Sequence, residues 1–190
     1  LAEHGAVVID SDVLAREAVG AGTEGLATVV REFGDSVLGQ DGVLDRARLA
    51  AVVFADPGAR RDLEALVHPA VRAGVAERVA ALAAAGDGGG VVVVEIPLLV
   101  ESPASRAGLA SVIVVDCPED VAVARLVAAR GMSEADARAR VAAQASRGER
   151  LALAGFVVDN SGTVADLAAE VDRCSDWLEG LRAAGAAGER

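Results

Sequence analysis

The chain reads as an α/β protein whose parallel sheet is covered by helices on both faces, and three observations lead there. Short β-branched runs alternate along the 190 residues with stretches of helical character, the pattern of strands joined by helical crossovers. One run, Val91 to Val94, is unbroken, as expected of a strand buried on both faces. The runs end in carboxylates at Asp10, Glu95, Asp116 and Asp159, and the carboxyl ends of parallel strands are where ligands gather.

Taken in order, Ala6 to Asp10 is the first expected strand, followed by a short helix over Val13 to Val19. Glu24 to Phe33 is a second helix closed by Gly34 as a C-cap. Asp41-Gly42 marks a turn, Asp45 to Phe54 is helical, and Pro57 suits the first turn of the next helix. That helix runs to Ala85 with Pro69 inside it as a break or kink. Gly86-Asp87-Gly88-Gly89-Gly90 is a flexible connection into the strand that ends at Glu95. Ser111 to Asp116 is the third strand, and Pro118-Glu119 opens a helix over Asp120 to Arg130. Ser133 to Asp136 starts a further helix, with Asp in place of the Glu of a capping box; that helix carries Arg138, Arg140, Gln144, Arg147 and Arg150. Phe156 to Asp159 is the last strand, and Thr163 caps a final helix in which Trp177, Cys174 and Leu178 pack as core or edge residues. The expected organisation is one domain over 1–181 and a disordered tail over 182–190.

Composition narrows the function. Apolar residues make up 53% but only in short runs, which gives no membrane span. The opening Leu1-Ala2-Glu3-His4-Gly5 has no basic stretch of a signal peptide. A net charge of −11 argues against nucleic acid or an anionic membrane as partner. Cys117 and Cys174 are far apart without a metal motif and read as reduced thiols of a cytoplasmic protein. All 18 basic residues are arginines, and the only methionine is Met132. Residue 1 is therefore not an initiator methionine, and the chain is expected to be processed or a fragment.

The chemistry concentrates first at Asp10-Ser11-Asp12, with Arg16 one helical turn on. Asp12 is placed to act as a general base and Arg16 to hold an anion, although an aspartate at such a junction is also the usual N-cap. Glu95 ends a buried strand and is either an acceptor-site or metal-supporting carboxylate or a helix-start cap. Asp116, before Cys117-Pro118, is the residue most readily read as a simple cap. His68 lies on an apolar helical face and reads as a packing histidine on its own, and His4 as solvent-facing. The arginines after Ser133 form either a phosphate-handling lid or a solvated helix face.

The order of motifs resembles one family, the dephospho-CoA kinases. The resemblance rests on Val8-Ile9-Asp10-Ser11-Asp12 with Arg16, Phe33-Gly34, Asp41-Gly42-Val43-Leu44-Asp45-Arg46 and Val53-Phe54-Ala55-Asp56-Pro57. It continues through Leu66-Val67-His68-Pro69, Ile96-Pro97-Leu98-Leu99-Val100-Glu101 and Arg130-Gly131-Met132-Ser133. Ala143-Gln144-Ala145-Ser146-Arg147 and Val158-Asp159-Asn160-Ser161-Gly162 complete it, so that it spans about residues 1–178. It implies a P-loop kinase fold, with a helical acceptor-side insertion over about 20–85 and a lid over about 130–150. The reaction implied is transfer of the γ-phosphoryl group of ATP, with Mg²⁺, to the ribose 3′-hydroxyl of dephospho-CoA, chemistry that rests on positioning and charge neutralisation. By resemblance Asp12 accepts the hydroxyl proton, and Asp10, Arg16, His68, Glu95, Pro97, Leu98 and Glu101 line the acceptor side. Arg125, Arg140 and Arg147 meet the ATP phosphates, Asn160 borders the adenine, and Arg125 and Arg147 join Asp12 in catalysis.

The family also implies a first strand, a glycine-rich loop of the form GxxxxGK[ST] and a helix, and none of these is found in the 190 residues. Leu1 to Gly5 resembles the tail of that helix, so the expected shortfall is roughly twenty residues, including a central strand. With no lysine in the chain, no residue can be the loop lysine, and these residues alone are expected to be inactive and poorly stable. Gly148, Gly155 and Ala129 also depart from the family pattern, as does Ser102-Pro103. The alternatives are another small nucleoside or nucleotide kinase, or a non-catalytic CoA- or nucleotide-binding remnant. The sequence leaves the oligomeric state open.

Overall fold

The computed structural model describes residues 1–87 and 90–188. Gly88 and Gly89 of the expected connection, and Glu189 and Arg190 of the expected tail, lie outside the described residues. The chain packs as two compact units, one of Ala6–Ile96 and one of Leu1–Gly5 with the residues from Pro97 onward.

In the unit Ala6–Ile96, β1 (Val7–Asp10) and β2 (Val92–Glu95) pair in parallel, with Val7 opposite Val92 and Asp10 opposite Glu95. Between them run α1 (Ser11–Ala18), α2 (Glu24–Phe33), α3 (Arg46–Ala55) and α4 (Pro57–Leu82). Leu26, Val29, Val30 and Phe33 recur at helical spacing on α2. They close a core with Val19, Val37, Leu44, Leu49 and the flanking Val53, Leu63 and Val67. Each helix start has a side-chain cap: Thr23 accepts from the Leu26 amide, Asp45 from Ala47 and Arg48, and Asp56 from Gly58. Gly34, at φ +79°, ends α2 with its amide on the Val30 carbonyl. Of the break or kink expected at Pro69, the break does not occur, and α4 runs through it. Packing of α4 on α1, α2 and α3 outweighs the single backbone bond that the proline removes. The contact with α1 is close: a Cβ on Gly74 would lie 3.0 Å from Leu14 Cδ2, and Arg78 pairs with Glu17 at 2.6 Å.

In the second unit, β3 (Ile113–Asp116) and β4 (Phe156–Asp159) pair in parallel, with Asp116 opposite Asp159. The crossover carries α5 (Glu119–Arg130), α6 (Glu134–Ala142) and α7 (Arg147–Ala152), and α8 (Val164–Gly188) follows β4. Cys174 is fully buried on α8, and Trp177 meets Phe156 with ring centroids 5.1 Å apart, as expected of packing residues. His4 is exposed, as expected, and lies 3.3 Å from Asp172 of α8.

The four strands form two two-stranded parallel sheets, and among the described residues no strand pairs with both β2 and β3. Two features differ from expectation. The single arginine-bearing helix after Ser133 is two helices, since Ser146 and Glu149 close a reciprocal capping box that starts α7 afresh. The helix α8 continues over residues 182–188, which were expected to fray. No helix among the described residues is long and apolar enough to cross a membrane.

Candidate functional site

In the unit Ala6–Ile96 the first strand delivers its carboxylates to the start of α1. Asp10 is the N-cap: its Oδ1 accepts from the Asp12 amide at 2.8 Å and the Val13 amide at 3.2 Å. That occupies Asp10 Oδ1 in building the helix and leaves Asp12, in the first turn, exposed and without a side-chain partner among the described residues. Arg16 follows one turn later, also exposed, and pairs with no carboxylate among the described residues. Glu95 stands opposite Asp10 in the parallel register, its carboxylate exposed and its carbonyl accepting the Ser11 hydroxyl at 2.5 Å. Asp10, Asp12, Arg16 and Glu95 thus share the carboxyl end of one strand pair. His68 is half-buried on α4 and makes no ion pair among the described residues.

The second unit holds the remaining candidates. Pro97 and Leu98 are exposed in the turn after β2. Glu101 accepts the Ala145 amide at 2.8 Å, which ties it to the connection between α6 and α7. Arg125 does not extend a free fork: its Nη1 donates to the Asn160 carbonyl at 2.5 Å and its Nη2 to the Gly162 carbonyl at 2.9 Å. The Asn160 loop is held from its other end as well, by the Asn160 amide on the Asp116 carbonyl at 2.7 Å and the Ser161 amide on Asp159 Oδ1 at 2.8 Å. Hydrogen bonding by Ser161 holds the Asp159 carboxyl below its usual range, with Arg147 a lesser contributor.

Arg147 meets Asp116, which is not a simple cap. Nε lies 3.0 and 2.9 Å from the two carboxylate oxygens and Nη2 2.6 Å from Oδ2, a bidentate pair with Asp116 only 6% exposed. Hydrogen bonding to Asp116 and its charge raise the Arg147 pKa. Arg140 lies apart from this pair, in an open cleft of about 390 Å³ between α5 and α6 with Arg125, Arg130 and Gln144 over Leu126 and Val141. Asp116 and the Ser146–Glu149 box are the residues sequence reasoning missed. The box was signalled by its S-x-x-E spacing, whereas the Asp116–Arg147 pair spans 31 positions and had no local signal.

Parallel strands with helical crossovers, ending on carboxylates, place the chain in the α/β class, whose ligands gather at the carboxyl ends of the strands. The dephospho-CoA kinase family profile matches residues 1–166, and the chain belongs to that family. A protein of Thermobifida fusca named dephospho-CoA kinase is 50% identical over 179 residues, covering 94% of this chain and 87% of its own length. A crystal structure from Thermus thermophilus superposes with a TM-score of 0.72 at 34% identity, covering 91% of this chain and 85% of that one. The dephospho-CoA kinase from Campylobacter jejuni gives 0.68 at 27% identity, over 94% and 88%.

Proposed function

We propose that the protein phosphorylates the ribose 3′-hydroxyl of dephospho-CoA with ATP, in the cytoplasm. Membership of the family supports this reading, and the observation that carries it in the chain itself is Asp12: an unpaired carboxylate at a strand end, on a helix whose cap is a different residue. In the transfer Asp12 accepts the hydroxyl proton as the 3′-oxygen attacks the γ-phosphorus, and the bond to the β-phosphate oxygen of ATP breaks to release ADP. Arg16 neutralises an anionic group of the acceptor. Arg147 offers Nη1, the one guanidinium nitrogen that Asp116 does not hold. Arg140 and Arg130 line the cleft beside Arg125, whose own role is to fix the Asn160 loop against the base. Mg²⁺ enters as the counter-ion of ATP. Among the described residues no three His, Cys, Asp or Glu side chains converge as metal ligands.

These 190 residues contain no lysine and no glycine-rich phosphate loop, and by themselves they are expected not to transfer phosphoryl. A second reading, a CoA- or nucleotide-binding protein without catalysis, is favoured by that one observation. The test is ATP-dependent conversion of dephospho-CoA to CoA, followed by mass, for the 190 residues and for the product of the whole open reading frame. The latter is expected to be active, with D12N lowering kcat by about 10² to 10⁴ and leaving both KM values near the parent. A D12N variant at parental kcat would remove Asp12 from the chemistry. Tight dephospho-CoA binding without turnover, from the whole reading frame, would establish the second reading.

A further inference from the structure

Asp116 is the only charged residue in the buried set of the described chain. A buried carboxylate costs several kcal/mol unless it is paired and hydrogen-bonded, and Asp116 has a single charged partner, Arg147, which is 46% exposed on its side chain. The grip is specific. Both carboxylate oxygens engage the Nε–Nη2 edge of the guanidinium, which fixes its plane as well as its position. Nη1 is left without a partner among the described residues.

The backbone of Asp116 is fixed at the same time. It ends β3 opposite Asp159, and its carbonyl accepts the Asn160 amide at 2.7 Å. One residue therefore sets Arg147 through its side chain and the Asn160 loop through its main chain, while Arg125 holds that loop through the Asn160 and Gly162 carbonyls. A pin needed only to anchor α7 would require none of this. The capping box of Ser146 and Glu149 already starts α7, and Glu101 already holds the Ala145 amide before it.

We propose that Asp116 is the positioning residue of Arg147, holding its guanidinium by the Nε–Nη2 edge so that Nη1 is presented to the phosphate chain of ATP in register with the Asn160 loop. The proposal rests on the kinase reading above. It predicts that a lysine cannot replace Arg147 even though it keeps the charge, because one ammonium cannot satisfy Asp116 and reach a phosphate oxygen together.

The test uses the protein expressed from its whole open reading frame, with kcat and KM for ATP and for dephospho-CoA measured alongside thermal melting. R147A is expected to lower kcat by about 10² or more, the scale of a lost transition-state donor. D116N is expected to lower kcat about tenfold with the dephospho-CoA KM unchanged. R147K is expected to melt near the parent and to lose kcat as R147A does. Free guanidinium at tens of millimolar is expected to restore part of the R147A rate when Asp116 is present and none of it in D116N/R147A. Parental kcat in folded D116N, parental kcat in R147K, or equal guanidinium rescue in both backgrounds would overturn the proposal. Should D116N not fold, R147K and the guanidinium comparison decide it, because D116N/R147A leaves no unpaired buried charge. Parental kcat in R147A would overturn the role of Arg147 itself, and absence of CoA formation in the parent the kinase reading, each recognisable apart from a failure at Asp116.

Discussion

Arg125 turns both of its Nη groups onto carbonyl oxygens, those of Asn160 and Gly162, which takes two of its five N–H donors and leaves Nε–H and one N–H on each Nη. The family pattern makes this arginine a phosphate contact, and the geometry shows it also holding a loop. Two carbonyls 35 and 37 positions away need two donors in one plane, which a guanidinium supplies and an ammonium does not. In the active protein, R125A and R125K are therefore expected to behave alike. Each should raise the KM for ATP by roughly fivefold, equivalent to about 1 kcal/mol of exposed hydrogen bonding, with kcat within about twofold of the parent. A collapse of kcat at unchanged KM would put Arg125 on the transferring phosphoryl group instead. The same reasoning separates Asp10 from Asp12. Two carboxylates two positions apart look equivalent in the sequence, but Oδ1 of the first is engaged by the Asp12 and Val13 amides, whereas the second does not cap the helix.

Elements here are started by side chains, and two of those starts respond to acid. Glu149 lies below its usual pKa of 4.5 because the Ser146 hydroxyl and amide bond to it, and Asp166 below its usual 3.8 because Thr163 does the same at the start of α8. A carboxylate whose folded pKa is depressed adds stability that is present in full above the unfolded pKa and is lost as pH falls through the folded one. The melting temperature is accordingly expected to fall below about pH 4.5. E149Q should melt lower than the parent at neutral pH, and the gap should close as the pH drops and the parent's own carboxylate becomes protonated. A gap that stays constant down to about pH 3 would show that the charge of Glu149 contributes nothing. These caps also mark what could be read in advance. The four strands were legible to within one or two residues, because an unbroken β-branched run ending in a carboxylate is a local signal. The division of α6 from α7 was written locally too, in Ser146 and Glu149, but was masked by an arginine spacing that suits one long helix face. Continuation through Pro69 and the pairing of Asp116 with Arg147 depend on packing between distant segments, and no local pattern encodes either.

At the scale of the whole chain, two-stranded sheets and net charge act against each other. Each sheet offers only one ladder, and a two-stranded sheet gains little stability by itself in water and depends on what packs against it. Outward valines remain on these strands: Val115 is 61% exposed and Val8 44%. Such residues on strands paired along one edge invite pairing with another chain. The opposing term is the net charge of −11, which keeps copies apart through a field that salt shortens. The screening length falls from about 10 Å at 0.1 M to about 3 Å at 1 M, so repulsion fades while apolar contact does not. The 190-residue chain is therefore expected to be monomeric in sedimentation at low salt and to associate progressively as NaCl rises toward about 1 M. V115T keeps the β-branched shape that suits a strand while replacing an exposed methyl with a hydroxyl, and should move the onset of association to higher salt. Association that ignores salt would remove the charge from this account. Association that is salt-dependent but unchanged in V115T would place the adhesive surface away from β3.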